Sequence, residues 1–248
     1  MNNIILIAGP CVVESESITF SIADKLVSIC KKLDIPLIFK ASYKKANRTS
    51  IDSFTGIGIK EALRILQQTG KHYSIPVTTD VHSVEEVDLV AMFVDVIQIP
   101  AFLCRQTDLL IAAAAQTDKI IHVKKGQFAS ASTMCYAVEK VKKYNDNIVR
   151  LIERGTFFGY NDLVVDMRNI PLMQQCGVEV IADITHSNNG NPQMSETIGK
   201  CAIAAGADGI FLETHPDPST ALSDSASMIK LDDVENLLVK FIKIRNAL

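Results

Sequence analysis

Four residues of this sequence have the mixed chemistry of a transition-metal site. Cys11 follows a Gly-Pro pair, His186 closes an apolar run in ADITH, Glu213 lies in FLETH, and Asp224 follows in LSD. Sulfur, nitrogen and carboxylate donors together suit a borderline divalent ion such as Fe2+, Zn2+ or Mn2+ better than Mg2+ or Ca2+. His215 is an alternative imidazole to His186. A second set is cationic: Lys45, Arg48, Arg105, Lys124 and Arg154. The arginines offer a bidentate fork for phosphate or carboxylate, whereas the lysines act as point charges. Lys and Arg together number 25 against 28 Asp and Glu, a formal net charge of −3, so any anion site is local and a general nucleic-acid surface is not expected.

Residues so far apart in sequence meet only if a repeating architecture delivers them to one place. Short β-branched runs predict strands at about 4–8, 37–41, 77–80, 96–99, 120–124, 149–152, 179–183 and 209–213. Each is followed by a helical pattern, near 17–33, 58–69, 84–93, 107–116, 132–144, 170–176, 196–205 and 234–245. In the first of these, Ile18, Ile22, Leu26, Ile29 and Leu33 share one face, the stripe of a helix that covers a sheet. Runs such as VIQIP and IIHVK are apolar nearly throughout, as when both sheet faces are covered. Eight β-then-α units predict an α/β fold, a closed (β/α)8 TIM barrel forming a single domain over 1–248.

In such a barrel the loops after the strands' C-terminal ends build the active site. Those positions are markedly polar here. Cys11 and Glu14 follow the first strand; Lys40, Ser42, Lys45, Asn47 and Arg48 the second; Asp80 and His82 the third; Gln98 and Arg105 the fourth. Lys124, Lys125 and Gln127 follow the fifth, Glu153 and Arg154 the sixth, Asp183 and His186 the seventh, and Glu213, His215 and later Asp224 the eighth. Strands one and eight are neighbours in a closed barrel, so the donors Cys11, His186, Glu213 and Asp224 can meet at one edge of a basic mouth.

Composition narrows the class further. A 48% apolar content over 248 residues is that of a globular protein with a large core. No apolar run reaches the roughly 18 residues of a membrane span, and MNNIILIAGP reads as a first strand rather than a secretory signal. The six Cys, with no CxxC pair, are expected to be reduced thiols in the cytoplasm. Of these, Cys30, Cys135, Cys176 and Cys201 fall in helical patterns and are expected to be small core residues.

The same segments carry a family resemblance. GPCVVES, FKASYKKANRTS, TTDVH, DVIQIPAFLCRQTDLL, HVKKGQF, ERGTFFGYNDLVVDMR, DITHS and ETHPDP followed by LSD, in that order, resemble the Kdo8P (3-deoxy-D-manno-octulosonate 8-phosphate) synthases. The resemblance implies a cytoplasmic, homotetrameric (β/α)8 transferase. It would condense phosphoenolpyruvate with D-arabinose 5-phosphate and water to Kdo8P and phosphate, for the lipopolysaccharide inner core, without an organic cofactor, nucleic acid or membrane partner. Cys after Gly-Pro, where a metal-independent class has Asn, implies the metal-dependent class with Cys11, His186, Glu213 and Asp224 as ligands. Lys45, Lys124, Arg154, Gln98 and Ala101 would surround phosphoenolpyruvate. Lys40, Asn47, Arg48 and Thr49 would hold arabinose 5-phosphate, with Arg105 reaching it from a neighbouring subunit. Ser42 and Pro100 join the substrate-binding set, and Asp80 joins Cys11, Lys45, Lys124, His186 and Asp224 in the catalytic set.

Asn47 separates KANRTS from the KPRT-like segment of the sibling DAHP synthases. Departures from the family pattern are Lys44, Thr55, His122 in place of a common Asn, SDSASMIK after the eighth strand, and a shortened loop after His186. Competing readings are a sibling synthase with another aldose phosphate, a Schiff-base aldolase using Lys40 or Lys124, and a non-catalytic phosphosugar-binding barrel.

Overall fold

Parallel strands with no hydrogen-bonding edge must close on themselves, and this chain does so by pairing its first strand with its eighth. The computed structural model describes residues 4–144, 148–160 and 163–248. Strands β1 (Ile5–Gly9), β2 (Leu37–Lys40), β3 (Val77–Asp80), β4 (Val96–Ile99), β5 (Ile120–Lys124), β6 (Val149–Glu153), β7 (Glu179–Asp183) and β8 (Gly209–His215) pair in parallel in sequence order. Ile5 opposite Gly209 through Gly9 opposite Glu213 closes the barrel. The expected (β/α)8 barrel is therefore the fold. One strand was not foreseen: a two-residue strand β9 (Ile229–Lys230) extends the rim beside Thr214 and His215. It is too short to leave a periodic signature.

Helices α1 (Glu16–Leu33), α2 (Ile59–Tyr73), α3 (Val84–Ala91), α4 (Thr107–Ala114), α5 (Ala131–Lys142), α6 (Asn169–Gln174), α7 (Met194–Ala204) and α8 (Val234–Arg245) surround the barrel. The start of α1 is set by Ser15, whose side chain accepts from the Ile18 amide, and its end by Asp34 in the left-handed region at φ 54°. Ile22, Leu26 and Ile29 of its predicted face are buried, with Ile18 and Leu33 partly so.

Strand alternation divides the core in two. Outward-facing residues such as Ile121 and Val123 pack against the helices, while Ile7, Ile38, Val96, Ile152, Ile181 and Phe211 form a separate interior cluster. The register that turns Ile120 inward also turns His122 and Lys124 inward. At the β1–β2 contact only glycine fits, because a Cβ on Gly9 would lie 2.0 Å from the Lys40 carbonyl oxygen.

The cysteines correct the sequence expectation. Cys135 of α5 and Cys176 just after α6 are joined by a disulfide, with Cα atoms 5.1 Å apart. Adjacent helices in the outer ring bring together residues 41 apart in sequence, a proximity that spacing does not disclose. Cys201 is exposed rather than core; Cys30 is buried as expected, and Cys104 is buried too.

The loop after β2, which carries several candidate ligands, is tethered to α3. Glu86 accepts from the Tyr43 hydroxyl at 2.5 Å, from the Lys44 ammonium, and from the His82 amide at 3.0 Å. Burial alone would raise its pKa, but these donors hold it down at about 2, against an ordinary 4.5. The tether is therefore at full strength above pH 4.5 and is lost as pH falls toward 2. Allowing for solvent screening, Glu86→Gln is expected to lose on the order of 1–2 kcal/mol at pH 7 by urea denaturation. The gap from wild type should narrow visibly by pH 3.5; an equal gap at both pH values would contradict the tether. Gly9→Ala is expected to lower the unfolding free energy by about 1–3 kcal/mol through overpacking, and an unchanged urea midpoint would show that the strand ends can part freely.

Candidate active site

A cavity of about 430 Å³ opens at the C-terminal end of the barrel. The loop after β2 contributes Lys45, Ala46, Asn47 and Arg48; the strands contribute Lys40, Asp80 and Lys124; and Arg154, His186, Asn189, Asp224 and Ser227 come from the later loops. Pro100, Ala101, Phe102 and Leu103, around a short 3-10 turn after β4, form an apolar wall. The Lys124 ammonium stands 3.8 Å and the Lys40 ammonium 5.6 Å from the ring centroid of Phe211, a member of the interior cluster.

Charge of both signs is buried beneath this mouth. Lys40 donates to Glu213 Oε1 at 2.8 Å, to Ser42 Oγ at 3.1 Å and to the Cys11 carbonyl at 3.3 Å. Lys124 donates to Asp183 Oδ2 at 2.7 Å. Ser42 donates to Asp80 Oδ2 at 2.5 Å, and the Gln98 amide donates to Asp80 Oδ1. Burial by itself would raise the carboxyl pKa values, but neighbouring cations more than offset it. Lys40 and Lys45 lead at Asp80, His186 and Lys124 at Asp183, and Lys40 and His186 at Glu213, so all three lie below the ordinary carboxylate range. Lys40 is raised despite burial, by Glu213 and then Asp80. Lys124 is lowered, burial outweighing Asp183.

Beside the basic wall, Cys11, Glu213 and Asp224 present ligand atoms within 4.8 Å of one another. Cys11 Sγ lies 3.0 Å from Asp224 Oδ2 and 3.3 Å from Ser223 Oγ. Burial, then Glu213, pushes the thiol pKa far up, so that a cation rather than a neighbouring base would have to displace its proton. Glu213 Oε2 is buried with no hydrogen-bond partner among the described residues. His186 Nε2 stands 3.7 Å from that oxygen, while His186 Nδ1 bonds Asp183 Oδ2 at 2.8 Å. A carboxylate on one imidazole nitrogen leaves the other available as a ligand, the usual support of a metal-bound histidine. The orphaned oxygen and the mixed donor set fit a borderline divalent ion.

Most of the sequence-selected residues converge, though not all as expected. Lys40, Lys45, Asn47, Arg48, Asp80, Pro100, Ala101, Lys124, Arg154, His186 and Asp224 line the cavity. Ser42 and Gln98 are buried behind Asp80, supporting it. Thr49 is exposed and, like the exposed Arg105, is absent from the cavity wall. His215 faces away from the donor cluster, with its Nδ1 2.6 Å from the Asp217 carbonyl and its Nε2 3.9 Å from Glu14. Asp183 was only one strand-end carboxylate among several in the sequence, yet it collects Lys124, the His186 ring and the amides of Thr185 and His186. Its position at the end of β7, three residues before a candidate ligand, was the available signal. The loop after His186 is tied to the loop after β8, since Asn188 donates to the Ser227 carbonyl at 3.0 Å and the Gly190 amide to Ser227 Oγ at 3.0 Å.

Among the described residues no helix is long and apolar enough to cross a membrane. The model of the DAHP synthetase I family matches residues 2–248. Curated relatives named 2-dehydro-3-deoxyphosphooctonate aldolase include that of Geotalea daltonii, 48% identical over 96% of this chain and 90% of its own length. That of Citrifermentans bemidjiense is 50% identical over 95% and 89%, and that of Koribacter versatilis 48% over 98% and 91%. Matched along almost its whole length by both the family model and these relatives, the chain belongs to the DAHP synthetase I family, in the company of the Kdo8P synthases that its motifs resemble.

Proposed function

We propose that this chain is a transferase of the Kdo8P synthase type, condensing phosphoenolpyruvate with D-arabinose 5-phosphate and water to Kdo8P and phosphate for lipopolysaccharide inner-core synthesis. One observation carries the reading at the site. Cations from the loops after β2 and β6 and from the end of β5 meet in a single cavity beside a sulfur and carboxylate donor group, with the His186 imidazole 3.7 Å from one of its oxygens. Two anionic substrates need the first; an aldehyde and a water to be oriented suit the second. The relatives' printed names point to the same product.

The reaction forms a bond between C3 of the enol phosphate and the aldehyde carbon, adds water at C2, and then breaks the C2–O bond to phosphate. Lys45, Lys124 and Arg154 would hold phosphoenolpyruvate, while Arg48, Asn47 and Thr49 would take the sugar phosphate. Fixing both in near-attack geometry removes an entropic barrier that reaches about 7–11 kcal/mol in favourable systems. Lys124 and Arg154 stabilise the departing phosphate. His186 and Asp224 border the cavity and would hold or move a proton at the attacking water or the aldehyde oxygen. Cys11, His186, Glu213 and Asp224 would hold Fe2+, Zn2+ or Mn2+, which supplies Lewis-acid polarisation of the aldehyde and orientation of water when bound. The reading includes a cytoplasmic homotetramer. Arg105 is exposed outside its own cavity and neighbours the exposed Phe102, as expected of a residue serving an adjacent subunit.

In a phosphate-release assay offering arabinose 5-phosphate and erythrose 4-phosphate in parallel, at least tenfold preference for the former is expected. Preference for the four-carbon sugar would instead assign a sibling activity. Chelation should stop turnover, and borohydride with substrate should trap no adduct; a trapped lysine adduct with chelator-insensitive turnover would establish a Schiff-base enzyme. Cys11→Ala should lose its bound divalent ion, by elemental analysis, and its activity, which added Mn2+ should not restore. Full activity in the metal-free variant would overturn the ligand assignment.

A further inference from the structure

Below the mouth, on the β3–β6 side, the barrel interior is polar. Sheet register sets Gln98 of β4 beside His122 of β5, His122 beside Arg150 of β6, and Arg150 beside Glu179 of β7. The two ends of this row are bonded. At the upper end Gln98 Nε2 donates to Asp80 Oδ1, and at the lower end Arg150 Nε donates to Glu179 Oε2 at 2.6 Å.

The middle carries every unmatched atom of the row. Among the described residues, Gln98 Oε1, both ring nitrogens of His122 and Arg150 Nη1 are buried without a hydrogen-bond partner, as is the hydroxyl of Thr78. These atoms are complementary. Asp80 is an acceptor, so it takes the Gln98 amide nitrogen and leaves the carbonyl oxygen on the other side of the amide for a different partner. Arg150 can only donate. A neutral imidazole offers one donor and one acceptor, which is what a carbonyl on one side and a guanidinium on the other require. His122 is fully buried, and burial, then Arg150, presses its pKa down to about 3, which keeps the ring neutral.

We infer that His122 is a positioning residue: bridging the Gln98 carbonyl and the Arg150 guanidinium through internal water, it fixes the Gln98 amide and so holds Asp80 in the orientation that the active site uses. Asp80 lines the cavity, accepts from Ser42 and lies 3.9 Å from the Lys40 ammonium. Reversal of the Gln98 amide would point its oxygen at a carboxylate and displace that group. The consequence for turnover rests on the synthase reading above; the hydrogen bonding of the ring does not.

Leu and Asn have nearly the same shape, but only Asn carries a donor and an acceptor. Compared with wild type in the phosphate-release assay, His122→Leu is expected to lose at least tenfold in kcat/KM, with His122→Asn recovering to within about threefold. A role in packing alone predicts the reverse order, since leucine is the better buried residue, and that order, or equal losses, would overturn the inference. Nitrogen NMR of the holoenzyme supplies a readout independent of activity. The His122 ring should show one protonated and one bare, hydrogen-bonded nitrogen, unchanged between pH 6 and 8. A ring that titrates in that range would overturn the assignment, whether or not the enzyme makes Kdo8P.

Discussion

Burying ions is unfavourable unless each meets its counter-ion in good geometry, and the mouth of this barrel is organised around that requirement. Glu213 is fully buried and Asp183 nearly so, and their ammonium partners, Lys40 and Lys124, are almost equally enclosed. Each pair links strands that flank a common neighbour, β2 to β8 across β1 and β5 to β7 across β6. Closure of the sheet is thus what brings Lys40 to Glu213. Removing either partner would leave the other stranded, so the pairs work as units that hold the catalytic loops in register.

Neutralisation is incomplete by design of the donor set. Lys40 satisfies one oxygen of Glu213 and leaves the second without a partner, facing the Cys11 and Asp224 side. Asp183 takes one nitrogen of His186 and leaves the other turned toward that same oxygen. Support from behind and vacancy of ligand atoms in front are produced by the same hydrogen bonds. Mutations at Lys40 or Asp183 would accordingly disturb ligand geometry without touching a ligand.

The fold was largely legible because each barrel strand is an apolar run terminated by a polar residue, and each helix carries a stripe of 3.6-residue period. Strand ends also marked the cavity, since in a barrel position along a strand is position in space. Less was legible where function depends on distance between elements. Asp183 had no distinguishing mark beyond its place in a list. Gln98 and Ser42 proved to support Asp80 rather than line the cavity, because inward-facing residues at slightly different depths read alike in sequence. The disulfide of Cys135 and Cys176 depends on the packing of adjacent helices, which no local pattern encodes.

Phe211 has a kinetic consequence. The ring that Lys124 packs over, within an interior cluster of isoleucine and valine, belongs to a low-dielectric interior. The field of the cations in excess of their carboxylate partners emerges preferentially through the open top of the barrel. A chain of negative net charge thereby presents an incoming anion with an attractive funnel confined to one face, so encounter with phosphorylated substrates is oriented before contact and slows as ionic strength rises.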